Sequence, residues 1–122
     1  MPKDYQNELN RAKKKYLSIG SLMCPAIGSR IIYFKDDGFR HFLKKQGAGR
    51  SKNDQLRRFG LVSYIHLVVT SDRTYVADKR NMGKSVYIGI MHDFSESYSV
   101  KIIIRKINDG NYHFVSIMDK QK

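Results

Sequence analysis

Apolar residues over the first seventy positions recur every three or four residues, and beyond Ser71 they tend to recur every second one. That change of period predicts helices followed by strands. Asp4 is placed to cap a helix through about Ser18, with Tyr5, Leu9, Ala12 and Tyr16 on one side. Its other side carries Arg11, Lys13, Lys14 and Lys15. The segment IGSLMCPAIGS contains Gly20, Pro25 and Gly28 and reads as a connecting loop. RIIYF (30–34) reads as a short strand. Asp36 or Asp37 then caps a helix that turns Phe39, Phe42 and Leu43 inward, and QGAGRSK breaks it with two glycines. Asn53 or Asp54 caps the next, with Leu56, Phe59, Val62, Ile65 and Val69 near one face and Gly60 as its weak point.

The segments RTYVAD, SVYIGIMH, YSVKIIIRKI and NYHFVSIM are rich in β-branched and aromatic residues. NDGN (108–111) joins the last two as an antiparallel hairpin. The layout predicts an α+β fold, with N-terminal helices packed on one face of a C-terminal antiparallel β-sheet. In the last hairpin Lys101, Ile103 and Arg105 share one face of their strand. Tyr112, Phe114 and Ser116 share one face of the next, opposite His113, Val115 and Ile117. An outer face of Lys, Arg, Ser and Tyr would suit the floor of a substrate cleft. A half-exposed sheet with no function explains the alternation equally well.

The 122 residues suffice for one domain, 1–122, and no repeat or linker divides them. The N-terminus lacks the apolar core of a signal peptide and no run approaches the roughly 20 apolar residues of a membrane span, so no membrane partner and a cytoplasmic location are expected. The single cysteine, Cys24, reads as a small buried residue in a reducing compartment. Charge is more telling than composition. The formal net charge is +12, and residues 1–60 hold fourteen cations against five acids, while 61–122 hold nine against six. Such an excess attracts polyanions through phosphate contacts and counterion release, which makes nucleic acid the first partner to consider.

Walker loops, H-E-x-x-H, C-x-x-C and G-x-S-x-G are absent from the sequence. Its acids are scattered, which argues against a carboxylate-bound two-metal nuclease, and the four histidines lie too far apart to claim as a metal set. No cofactor and no metal is expected. The residue types fit metal-free RNA cleavage, in which a base and an acid serve the attack of a 2′-OH and cations meet the charge that develops. His41, at the edge of an apolar helix face beside Lys44 and Lys45, is the candidate acid or base. Arg57 and Arg58, read as opening the third helix, and Arg50 on the glycine-containing loop are candidate phosphate contacts. Lys101 and Arg105 would position phosphate, Ser116 would add a hydrogen bond, and Tyr64 or Tyr112 could stack a base. His66 reads as structural, and His92, at the end of a strand, as a turn residue.

IIYFKDDGFRHFLKKQG, LRRFGLVSYIHLVV and VKIIIRKINDGNYHFVSIM, in this order, resemble a broad family of small bacterial and phage-associated RNases. That family groups barnase, EndoU, colicin-type tRNases and RelE and is known as the BECR superfamily. The resemblance covers residues 30–118, leaving 1–29 as an N-terminal helix and connecting loop. It implies a metal-independent endoribonuclease, acting on tRNA or mRNA as a toxin or accessory nuclease. It carries over to His41, Lys44 or Lys45, Arg57 or Arg58, and Ser116, with Arg58 and Ser116 beside His41 as catalytic candidates. Gln46 departs from the pattern, standing where a second histidine is expected. A toxin would have an acidic antitoxin or immunity protein as its partner. The alternative, from the residues alone, is a non-catalytic basic nucleic-acid-binding module. A third reading is a module whose basic face meets an acidic protein.

Overall fold

The structure, a computed structural model, describes residues 4–45, 48–108 and 110–121, with Lys45 as backbone only. Gln46 and Gly47, at the expected helix break, and Asp109, in the expected turn, lie outside these residues. Asp4 caps α1 (Tyr5–Ile19) as its sequence suggests, its carboxylate accepting from the Gln6 and Asn7 amides. The expected loop instead opens with a strand, β1 (Ser21–Cys24), which doubles back through a 3-10 turn into β2 (Arg30–Tyr33). α2 spans Asp36–Leu43, with Asp36 and Asp37 in its first turn and Lys35, which makes no side-chain cap, before it. A small hairpin, β3 (Lys44–Lys45) and β4 (Ala48–Gly49), leads to α3 (Lys52–Leu61). Ser51, rather than Asn53 or Asp54, caps α3 through the Asp54 amide. Arg57 and Arg58 therefore lie beyond the first turn, away from the anion-favouring end. The apolar face continues through a 3-10 turn into α4 (Ile65–Thr70).

Four strands follow, β5 (Tyr75–Met82), β6 (Ser85–Asp93), β7 (Tyr98–Ile107) and β8 (Tyr112–Gln121). With the first hairpin they form one sheet in the order β1-β2-β8-β7-β6-β5. All pairings are antiparallel except β2 with β8, which is parallel and confined to Ile32–Tyr112 and Tyr33–His113. The fold is α+β, with the helices packed against one sheet face. The core lies between them. Tyr16 is its hub, with rings of Phe34, Phe39, Phe42 and Phe114 around it at 5.3–6.0 Å. Such ring pairs add about 0.5–1.5 kcal/mol each beyond their buried area. Ile90, Val100, Ile102, Ile104 and Cys24 are fully buried with them, and burial pushes the Cys24 thiol pKa up.

Two details of the last hairpin overturn the expected faces. Lys106 pairs with Tyr112 and Ile104 with Phe114, so Tyr112 and Phe114 share the core side rather than that of Lys101 and Arg105. Tyr112 is only 8% exposed. A bulge between Phe114 and Ser116 then inserts one residue into β8 and shifts its alternation. Ile117 consequently pairs with Ile102 and joins Phe114 in the core, although strict alternation would separate them. His113, not Tyr112, lies beside Arg105 on the face away from the helices.

Candidate functional site

The charged candidates separate into two groups. The first is a clamp between α3 and β8. Arg50 donates from Nε to the His41 carbonyl at 2.7 Å and from a terminal nitrogen to Asp54 at 3.2 Å, and its side chain is only 9% exposed. Arg58, 15% exposed, donates to the same Asp54 oxygen at 3.2 Å, to Ser116 Oγ at 3.3 Å and to the Ile117 carbonyl at 2.6 Å. Burial opposes ionisation of Asp54, but Arg58 and Arg50 outweigh it and hold the carboxyl below its ordinary range. Burial and the charge of Arg50 in turn lower Arg58, against Asp54. Arg57 is ion-paired with Asp119, which also accepts from the Tyr98 hydroxyl at 3.1 Å. The expected phosphate contacts Arg50, Arg57 and Arg58, and Ser116 with them, are thus engaged with protein partners.

The second group lies on the sheet face away from the helices. Arg105 stands directly across from His113, so the two Cα atoms are about 5 Å apart. On its other side Arg105 faces Tyr87, with its guanidinium 6.0 Å from the ring centre and a terminal nitrogen 3.5 Å from the hydroxyl. Tyr33 of β2 pairs with His113, with ring centres 5.9 Å apart, and the Lys35 ammonium is 6.0 Å from the Tyr33 ring. Two of these contacts are cation–aromatic pairs, exposed enough for water and ligand to reach.

His41 lies on α2, which packs against β8. After Tyr33 the chain turns into α2, which takes the place beside β8 that a longer β2 would occupy. The approach is close: a Cβ on Gly38 would come within 3.0 Å of the Phe114 carbonyl and would overlap the Tyr16 hydroxyl. That hydroxyl donates to the Lys35 carbonyl at 2.8 Å. Phe39 and Phe42 point into the core, while Asp37 and His41, one turn apart, are exposed. The imidazole of His41 is lowered in pKa by partial desolvation against the protein and by Arg50 and Arg105, against Asp37. That of His113 is lowered by burial, Lys35 and Arg105, also against Asp37. Asp37 and Arg105 act on both imidazoles.

The remaining candidates fall elsewhere. Lys44 is exposed on the β3–β4 hairpin after α2, and Lys45 follows it there. Lys101 shares the face of Arg105 but is ion-paired to Asp78 across Gly89, where a Cβ would strike both side chains. Tyr64 sits against Phe94 with ring centres 5.0 Å apart, at the end of the sheet where Tyr98 pairs with Gln121, remote from His113. His92 contacts Thr74 Oγ1 at 3.2 Å and Phe94 edge-on, in keeping with a structural role, and His66 is exposed on α4. The residues missed in the sequence are His113, Tyr33, Tyr87 and Lys35. Their signal was the hairpin register, which decides what faces Arg105.

Among the described residues no three His, Cys, Asp or Glu side chains gather as a metal site, and no helix is long and apolar enough to cross a membrane. Comparison with known proteins found no matching family model, no similar curated protein and no similar solved structure.

Proposed function

We propose that the protein is a metal-independent endoribonuclease whose reaction takes place on the open sheet face at His41, Arg105 and His113. The observation that carries this reading is the direct pairing of Arg105 with His113, on the strand against which α2, the helix of His41, packs. One imidazole, neutral at the start, takes the proton of a ribose 2′-OH as its oxygen attacks the adjacent phosphorus. The other, protonated, delivers a proton to the 5′-oxygen as the P–O5′ bond breaks. The products are a 2′,3′-cyclic phosphate and a 5′-hydroxyl. Arg105 supports the crowded dianionic arrangement through its planar fork, and Lys35 and Lys44 add positive charge at the rim. His113 takes the role that the sequence left without an owner at Gln46. Arg58 and Ser116 support the site by fixing α3 against β8, one step removed from phosphate.

If the protein acts as a toxin, an acidic antitoxin or immunity protein would cover this basic face. A second reading, a non-catalytic RNA-binding module, is favoured by the pairs Lys35–Tyr33 and Arg105–Tyr87, which are suited to stacking bases beside a phosphate backbone. One experiment separates them. Total tRNA and a structured mRNA are incubated with the protein in excess chelator, beside His113→Ala and His41→Ala. The nuclease reading expects fragments ending in 2′,3′-cyclic phosphate that fall by about 10²–10⁴-fold in rate in each variant. Intact RNA with salt-sensitive retardation would replace it with the binding module.

A further inference from the structure

The two strands that pair at Ile32–Tyr112 and Tyr33–His113, β2 and β8, are joined at those residues alone and part before them. Between them lies a depression of about 290 Å³, lined by Ser29, Arg30, Ile31 and Tyr33 on one side and by Gly110, Asn111 and Tyr112 on the other. Its size is at the lower end of small-molecule sites, which run to roughly 300–1,000 Å³, and suits a single base rather than a length of chain. We propose that it seats a purine base of the RNA strand, one nucleotide from the phosphate held by Arg105 and His113. This inference rests on the ribonuclease reading and names the base that reading leaves open.

The lining combines what a base needs. Ile31, 38% exposed, and the Tyr33 ring offer apolar surface for its faces. Asn111 and Arg30 offer edge-on recognition. An Asn amide pairs in bidentate fashion with adenine N6 and N7, and an Arg fork with guanine O6 and N7. Both patterns use N7, which pyrimidines lack. The lips are held before any ligand arrives. On one, Gly28 and Ser29 take left-handed φ of 75° and 62°, and the Ser29 amide donates to the Cys24 carbonyl at 3.0 Å. On the other, the Gly110 amide donates to the Ile107 carbonyl at 2.9 Å, and the Asn108 amide ties the turn to the Lys84 carbonyl at 2.7 Å. A Cβ on Gly110 would lie 2.9 Å from that Ile107 oxygen, so the lip has its bend at a residue with no side chain. Placement beside Tyr33 fixes the register, because Tyr33 touches both the depression and the His113 ring.

The test titrates AMP, GMP, CMP and UMP separately into isotope-labelled protein, reading backbone amide shifts, and maps cleavage sites on an unstructured RNA of mixed sequence. The expected result is shifts centred on Ser29, Tyr33 and Asn111, with the purine nucleotides binding on the order of tenfold tighter than the pyrimidine ones. Cleavage sites should share a purine at one fixed position. Asn111→Ala and Arg30→Ala, both at exposed positions, should each reduce that preference, and Asn111→Ala should act more on adenine. Equal binding of the four nucleotides, shifts centred elsewhere, or an unchanged preference in both variants would overturn the inference even if His113→Ala abolishes cleavage. Absence of cleavage by the unmodified protein would instead overturn the ribonuclease reading, and the nucleotide titration would still decide the purine site.

Discussion

The α3–β8 clamp and the open sheet face both hold arginine, yet they differ in what the arginine faces. In the clamp, Arg50 and Arg58 converge on Asp54, and Arg58 also donates to Ser116 and the Ile117 carbonyl. On the open face Arg105 has a tyrosine on one side and a histidine on the other. Neither neighbour neutralises it. A guanidinium satisfied by protein acceptors holds a fold together, and one flanked by rings keeps its fork for an incoming anion. A basic sequence therefore carries two populations of cation, and only their acceptors tell them apart.

The widest separation between the two regions should come from exchanging their arginines. Arg105→Ala is expected to lower RNA cleavage about 10²–10³-fold, as removal of one charge-stabilising donor does, with little change in the midpoint of chemical denaturation. Arg58→Ala should do the opposite. It leaves Asp54 with only Arg50 and the Ile117 carbonyl without its donor, a loss of about 3 kcal/mol of stability by denaturant titration. The folded fraction should keep its specific activity. Loss of activity in Arg58→Ala at full stability would move the reaction to the clamp.

A smaller effect tests Lys101, which belongs to the open face by position and to the structural group by partner. Asp78 is more than half exposed, so its pair with Lys101 is worth under about 1 kcal/mol. Asp78→Asn should release Lys101 and strengthen RNA binding a few-fold at low salt, with a steeper salt dependence. An unchanged salt slope would mean that Lys101 stands outside the RNA path.

The helices and the four-strand meander were legible because their apolar periods are regular; Asp4 behaves as the sequence suggests, while the run from Leu56 to Val69 is helical but broken by a 3-10 turn at Val62–Tyr64. β1 was hidden because SLMC is a short edge strand between glycine- and proline-marked turns, and its pairing with β2 gives no local signal. The site was lost by one residue. NDGN read as a four-residue turn would set Ile107 against Tyr112 and Arg105 beside Phe114. In the folded chain Lys106 faces Tyr112 instead, and that single step brings His113 to Arg105. The bulge before Ser116 was equally invisible, since no glycine marks it. Arg50, Arg57, Arg58 and Ser116 read as phosphate or catalytic contacts, and their place in the clamp was not legible, because Asp54 and the Ile117 carbonyl join Arg50 and Arg58 only in three dimensions.

Acid titration should resolve the same two regions on one axis, with the smallest effects of the set. His41 and His113 have folded pKa values below the ordinary 6.5, so between those values and 6.5 the unfolded chain binds more protons than the folded one. Their contribution to stability is therefore full above pH 6.5 and declines as pH falls through the lowered folded values. Asp54 is also lowered, from 3.8, but as a carboxylate it loses its contribution only as pH falls below 3.8 through its folded value. Denaturant titrations across pH should show a shallow first decline belonging to the open face and a second belonging to the clamp. His113→Gln should flatten the first and spare the second, and Asp54→Asn should do the reverse. The activity profile follows from the same imidazoles. One must be charged and the other neutral, so kcat/KM should reach its maximum below pH 6.5. A maximum well above neutrality would take the acid–base roles away from this pair, while the two-step stability profile would still stand.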